Sequence, residues 1–169
     1  MYPTLENIIN QLVECIQTDH KILVFGVGGN AANAIHFAAE LQGKYEKFEK
    51  PLPCIDLCSN PSIITAITND FGWDQCFARQ RRGLAQPGDV ILAFSISTKG
   101  KYLEQAFLVA KGKGAKCILS CGSSTGEGFL EDVTVLDEDT LDTPWVQEKQ
   151  LELIHQICRE VKERLALND

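Results

Sequence analysis

The stretch that most constrains this chain spans residues 21–45. It opens with KILVF, a continuous apolar run of the kind that a strand buried on both faces requires. GVGGN then breaks the run with glycines at 26, 28 and 29, which suits a tight turn with exposed backbone N–H groups. AANAIHFAAELQGKY follows and reads as a helix of small and apolar residues. Its polar exceptions, Asn33, His36 and Glu40, recur at i, i+3 and i+7 and so share one side. A helix this apolar is expected to be buried. A histidine and a carboxylate on it are then candidates for chemistry rather than ordinary surface groups.

The rest of the chain repeats the strand–helix alternation. Leu5, Ile8, Ile9, Leu12, Val13 and Ile16 mark an amphipathic first helix ahead of the central stretch. KYEKFEKP reads as a charged loop and residues 53–58 as a second buried strand. Asn60-Pro61 caps and starts a short helix through Thr68, NDFGWD interrupts, and a further helix covers 75–84. VILAFS is a third strand, and the polar loop SISTKG leads into a helix over 101–113. CILSCG and DVTVL are strands four and five. The last helix starts with Thr143 as cap and Pro144 at its first position, and Ile154, Ile157, Cys158, Val161 and Leu165 form its apolar stripe. This pattern predicts an α/β three-layer sandwich, a five-stranded parallel sheet with helices on both faces, as one domain over 1–169. Ligands in such folds bind outside the carboxyl ends of the strands, here GVGGN, LCSN, SISTKG and SCGSSTG.

Composition narrows the function classes. A formal charge of −7 with no extended basic face excludes a nucleic-acid backbone as the direct partner, and RQRR at 79–82 reads as a solvated helix end. The seven cysteines include no CxxC pair, and most lie in apolar runs. They read as buried thiols of a reducing cytosol, not as disulfides or a thiolate zinc site. No signal peptide is read at the start, and the apolar runs fall far short of a membrane span, so a cytoplasmic protein without a membrane partner is expected.

GVGGNAANAIHFAAEL resembles the signature GNGGSAADAQHFAAEL of the sugar isomerase (SIS) domain family, in its phosphoheptose isomerase branch. TAITNDFGWDQCFARQ, PGDVILAFSIS and VQEKQLELIHQIC resemble further segments of that branch, in the same order. The resemblance implies a flavodoxin-like sheet and conversion of sedoheptulose 7-phosphate to a mannose-configured heptose 7-phosphate. It also implies a homotetramer with sites shared between subunits, and often a zinc ion. It further implies His36, Glu40, Gln147 and His155 as metal ligands, with Glu40 and His155 as the acid–base pair. Gly28, Gly29, Asn30, Asn69, Asp70, Ser95, Ser97, Thr98 and Gln147 are the expected substrate contacts. The chemistry agrees: moving a proton between C1 and C2 through an enediol needs one base and one acid. His36 and Glu40, one helical turn apart, converge on one ion, whereas eight residues of helix put Gln147 about 12 Å from His155.

The chain also departs from the pattern. Val27, Asn30 and Asn33 replace an asparagine, a serine and an aspartate, and Gln150 stands where a histidine often does. Set against STSGNS, residues 95–100 put Thr98 at a glycine position, which predicts backbone strain there. Two other functions compete with the isomerase. One is a noncatalytic SIS module that binds a phosphosugar or a protein partner. The other is a dinucleotide-binding domain, since Gly26-Val27-Gly28 with Ala31 fits GxGxxA and Asp56 ends the second strand. That fingerprint leaves HFAAEL and QE…IH unexplained.

Overall fold

A computed structural model describes residues 3–45, 50–124 and 133–166. Helix α1 (Pro3–Gln17) precedes β1 (Ile22–Phe25), and α2 (Gly29–Gln42) leads to β2 (Cys54–Asp56). Then come α3 (Pro61–Phe71), a 3₁₀ turn (Trp73–Gln75), α4 (Cys76–Leu84), β3 (Val90–Phe94) and α5 (Lys101–Gly112). The chain continues through β4 (Lys116–Cys121) and β5 (Val133–Asp137) to α6 (Thr143–Ala166). The strands pair in parallel in the order β2-β1-β3-β4-β5, the expected flavodoxin-like arrangement.

Strand side chains alternate between two cores. Ile22, Val24, Val90, Leu92, Phe94 and Ile118 face α1, α2 and α6, whereas Leu23, Phe25, Ile91, Ala93, Cys117, Leu119 and Cys121 face α4 and α5. In β1 and β3 both faces are covered, and this is why they read as unbroken apolar runs, whereas the second strand, read as buried over 53–58, is the edge strand Cys54–Asp56 with Ile55 exposed. The N-terminal edge is tied by buried Asp89. It accepts hydrogen bonds from the Lys21 backbone N–H at 3.1 Å, Lys21 Nζ at 2.7 Å and the Gln86 N–H at 2.8 Å.

Several boundaries differ from the sequence reading, for local reasons. Helix α3 continues past Thr68 to Phe71 and stops at Gly72, whose φ of 84° ends a helix cheaply. The helix read over 75–84 begins as the 3₁₀ turn and becomes α-helical at Cys76. The cap of α6 is Asp142 rather than Thr143: Asp142 Oδ1 accepts from the Trp145 N–H at 3.2 Å, so Thr143 and Pro144 lie inside the first turn. Half of the KYEKFEKP loop (46–49) and Asp132 of the fifth strand lie outside the described residues. The apolar stripe of α1 is spent within the protomer, with Leu5, Ile8, Ile9 and Leu12 buried under α6 and the sheet. Helix α2 is not buried all round, because Ala32, Ile35 and Ala39 are exposed while Asn30, Asn33, Ala34, Phe37, Ala38 and Leu41 are covered.

The second core holds one anomaly. Arg81 of α4, expected to be solvated with the rest of RQRR, is instead fully buried, and none of its guanidinium nitrogens has a hydrogen-bond partner among the described residues. Its guanidinium lies 4.0 Å from the centroid of the Phe25 ring. Burial pushes its pKa down to about 9. A desolvated cation–π contact is worth about 2 kcal/mol, against a desolvation cost of several kcal/mol for a buried ion, so the site is a net penalty. Arg81→Met is therefore expected to raise stability by about 1–3 kcal/mol in chemical denaturation. The gain should shrink as pH rises above about 9, because the folded protein then sheds the arginine proton while the unfolded chain keeps it. A loss of stability in the variant would show that the stacking outweighs desolvation.

Candidate functional site

Helix α2 starts at the carboxyl end of β1 and packs against α6, and polar side chains line their contact. Gly28 has φ 63°, the left-handed value that turns the chain from strand into helix. The missing Cβ at Gly29 leaves room for the Gln147 amide, which a side chain there would displace. Gln147 Nε2 donates to Asn30 Oδ1 at 3.0 Å. Asn33 Nδ2 donates to the Gln147 carbonyl at 3.1 Å and to Gln150 Oε1 at 3.4 Å. Farther along, His36 Nε2 lies 3.1 Å from His155 Nε2 and 3.2 Å from Glu40 Oε1. Partners rise in number together, so the two helices run parallel, joined by successive polar rungs.

The last rung is the cluster with ligand chemistry. The donor atoms of His36, Glu40 and His155 lie within 4.8 Å of one another. A single Nε2–H on His36 cannot satisfy both the carboxylate and the second imidazole, so the set is short of a positive centre. Two nitrogens and one oxygen suit zinc, and two imidazole nitrogens on a tetrahedral zinc are about 3.3 Å apart, close to the spacing observed. Three protein ligands leave a fourth position open, the arrangement of catalytic rather than structural zinc. The His36 side chain is 40% exposed and that of Glu40 23%, so solutes reach the cluster. The Tyr45 ring stacks on His155 with centroids 6.0 Å apart and 22° between planes, and Arg159 Nη2 donates to the Tyr45 hydroxyl at 3.3 Å. Gln147 is not with this cluster in the protomer: its partner Asn30 precedes His36 by about 9 Å of helix rise.

A pocket of about 290 Å³ opens between β1 and β3, where the chain's winding direction reverses. Val27, Asn30, Ser95, Ile96, Ser97, Gly100 and Tyr102 line it. Its loop continues the pairing of β3 with β4: Ile96 O accepts the N–H groups of Gly122 and Ser123, both at 3.1 Å. Ser95 Oγ donates to the Ser97 carbonyl at 2.7 Å and lies 3.5 Å from the Tyr102 hydroxyl. No side chain caps α5 at Gly100, so the positive end of that helix faces the pocket.

The strain expected at Thr98 is absent, since among non-glycine residues positive φ occurs at Asp19 and Asp139. The correction is one of register. Shifted by two, STSG falls on Ser97-Thr98-Lys99-Gly100 and its glycine becomes Gly100, directly ahead of α5, leaving Lys101 and Tyr102 in place of the last asparagine and serine. Asn69 and Asp70 lie exposed at the end of α3, bonded to each other at 2.9 Å and outside the pocket lining. Sequence reasoning did not find Tyr45, Tyr102 or the partner of Gln150. The spacing of Gln147, Gln150 and His155 along one helix was the available signal for the last.

The comparisons with known proteins agree with this geometry. Residues 3–122 match the model of the SIS domain. The phosphoheptose isomerase of Pelobacter propionicus is 37% identical over 165 residues, which cover 98% of this chain and 87% of that protein. The solved phosphoheptose isomerase of Neisseria gonorrhoeae superposes with a TM-score of 0.86 at 30% identity, over 95% of this chain and 87% of that one. That of Francisella tularensis superposes with a TM-score of 0.90 at 26% identity, over 96% and 87%. With the domain model matched over residues 3–122 and these relatives over nearly its whole length, the chain belongs to the SIS-domain family, among the phosphoheptose isomerases.

Proposed function

We propose that this protein is an aldose–ketose isomerase that converts sedoheptulose 7-phosphate to D-glycero-D-manno-heptose 7-phosphate. The observation that carries the reading is the convergence of His36, Glu40 and His155 in a chain that matches phosphoheptose isomerases almost end to end. Glu40 takes the proton from the sugar carbon, and His155 carries a proton to or from the carbonyl oxygen. Tyr45 holds the His155 ring by stacking. Ser97, near the positive end of α5, binds the phosphate with Ser95, while Val27 and Asn30 form the opposite wall and Gln147 fixes Asn30; the expected contacts Gly28, Gly29 and the buried Thr98 shape the adjoining turns without lining the pocket. Zinc held by His36, Glu40 and His155 supplies polarisation of the substrate carbonyl when bound. The protein works as a homotetramer, and Asn69 and Asp70 serve a site completed by another copy; the exposed Ala32, Ile35 and Ala39 strip on α2 supports close helix contact. Among the described residues no helix is long and apolar enough to cross a membrane. The seven unpaired cysteines, including Cys15, Cys58 and Cys117 with thiol pKa values pushed up to about 11 by burial, fit a reducing cytoplasm.

Glu40→Gln is expected to lower turnover of sedoheptulose 7-phosphate by about 10²–10⁴-fold, with thermal stability unchanged or slightly raised. A wild-type protein that converts no ketose phosphate with zinc supplied ends the catalytic reading. Zinc is expected to raise the melting temperature of the wild type and leave His36→Ala unmoved; equal shifts in both would place the metal elsewhere. Light scattering is expected to give a mass near four times 18.7 kDa, and a mass of 18.7 kDa at micromolar concentration contradicts shared sites.

A further inference from the structure

The middle rung of the α2–α6 contact belongs neither to the cluster nor to the pocket lining, yet it touches the supports of both. Gln150 is fully buried. Its Nε2 donates to the Ser95 carbonyl at 3.0 Å and to the Ser120 carbonyl at 3.2 Å, at the carboxyl ends of β3 and β4. Its Oε1 accepts from Asn33 Nδ2 at 3.4 Å. One side chain on α6 therefore ties α2 to the ends of two strands. Ser95 is the key neighbour, because its N–H bonds the Ser120 carbonyl at 3.0 Å while its hydroxyl holds the Ser97 carbonyl and approaches Tyr102 inside the pocket.

We infer that Gln150, braced by Asn33, is a positioning residue that acts through Ser95 to set the shape of the phosphate pocket. The inference rests on the isomerase reading and names how this chain holds one half of its site. A fully buried amide whose donors and acceptor are all engaged has little freedom to reorient, so Ser95 and the loop behind it are held before any ligand arrives. Without the amide donors, two strand-end carbonyls lose their side-chain partner, and Ser95 keeps only its N–H bond to β4 and its own hydroxyl contacts within the loop. Asn33 and Gln150 are also two of the positions at which this chain departs from the resembled pattern, and the structure puts them in contact. Two exchanges that meet across a helix pair are expected to work as a unit.

The test uses full-length protein and two ligands, sedoheptulose 7-phosphate for kinetics and inorganic phosphate for calorimetry. Gln150→Met keeps length and volume but removes both donors. It is expected to raise KM and the phosphate Kd by roughly five- to tenfold, with kcat changed less than about threefold because the His36–Glu40–His155 contacts are intact. A merely structural role lowers the melting temperature and leaves both affinities alone well below it. Gln150→His keeps one donor and so gives a smaller rise. In Asn33→Asp combined with Gln150→His, the carboxylate favours the imidazolium, whose two N–H groups donate one to the carboxylate at position 33 and one to the Ser95 carbonyl, and below the imidazole pKa the pair is expected to recover most of the loss seen in each single variant. If Gln150→Met does not fold, the histidine variant and the double variant carry the test. Wild-type phosphate affinity in the Gln150 variants, or additive losses in the double variant, overturns the inference while leaving the isomerase reading intact. Absence of turnover and of phosphate binding in the wild type overturns both.

Discussion

Close approach of α6 to the first turn of α2 is the constraint on which the site depends. Gly29, with no Cβ, leaves room there for the Gln147 amide that bonds Asn30. Once the helices meet there, their parallel course brings Asn33 to Gln150 and then His36 and Glu40 to His155. The rigid sheet beneath holds α2 through β1, and α6 reaches the same sheet through the Gln150 bonds to Ser95 and Ser120. Geometry at the cluster is thus inherited from the hydrogen-bonded helix contact one to two turns away.

Energetics explain why a polar contact sits between the packed faces of two helices. A satisfied buried hydrogen bond contributes only about 0.5–1.5 kcal/mol net, whereas an unsatisfied buried group costs about 1–3 kcal/mol. The seam is therefore worth little as glue but strongly penalises misalignment. A slip of α6 along α2 would break the Asn30–Gln147, Asn33–Gln150 and Gln150–Ser95 bonds together. Arg81 on the opposite face of the sheet shows the contrast, a buried charge with a stacked ring and no acceptor among the described residues. Apolar packing carries the stability in both cores, and the polar seam carries alignment.

Much of this was legible in the sequence, for identifiable reasons. Unbroken apolar runs such as KILVF and VILAF imply strands covered on both faces, and glycine turns followed by helical periodicity imply parallel crossovers. Spacing alone put Asn33, His36 and Glu40 on one side of α2, and the structure shows that side facing α6. Helix ends were less legible, because Asp142 and Thr143 are both capable caps and the backbone path decides between them. The register of the phosphate loop was misread because serine recurs at 95 and 97 and only the start of α5 identifies Gly100 as the pattern's glycine. Tyr45 and Tyr102 were invisible as site residues, since each reaches its partner through the fold: Tyr45 the ring of His155 on α6, Tyr102 the hydroxyl of Ser95 at the end of β3.

The central claim is that this seam delivers a proton-transfer pair to a sugar phosphate bound beside it. Proton NMR of sedoheptulose 7-phosphate with the zinc-supplied protein in deuterium oxide tests it most directly. The account predicts an aldose 7-phosphate carrying deuterium at C2, formed through an enediol whose proton exchanges with solvent on the base. A ketose spectrum unchanged after prolonged incubation, or an aldose product with no solvent deuterium at C2, would contradict it.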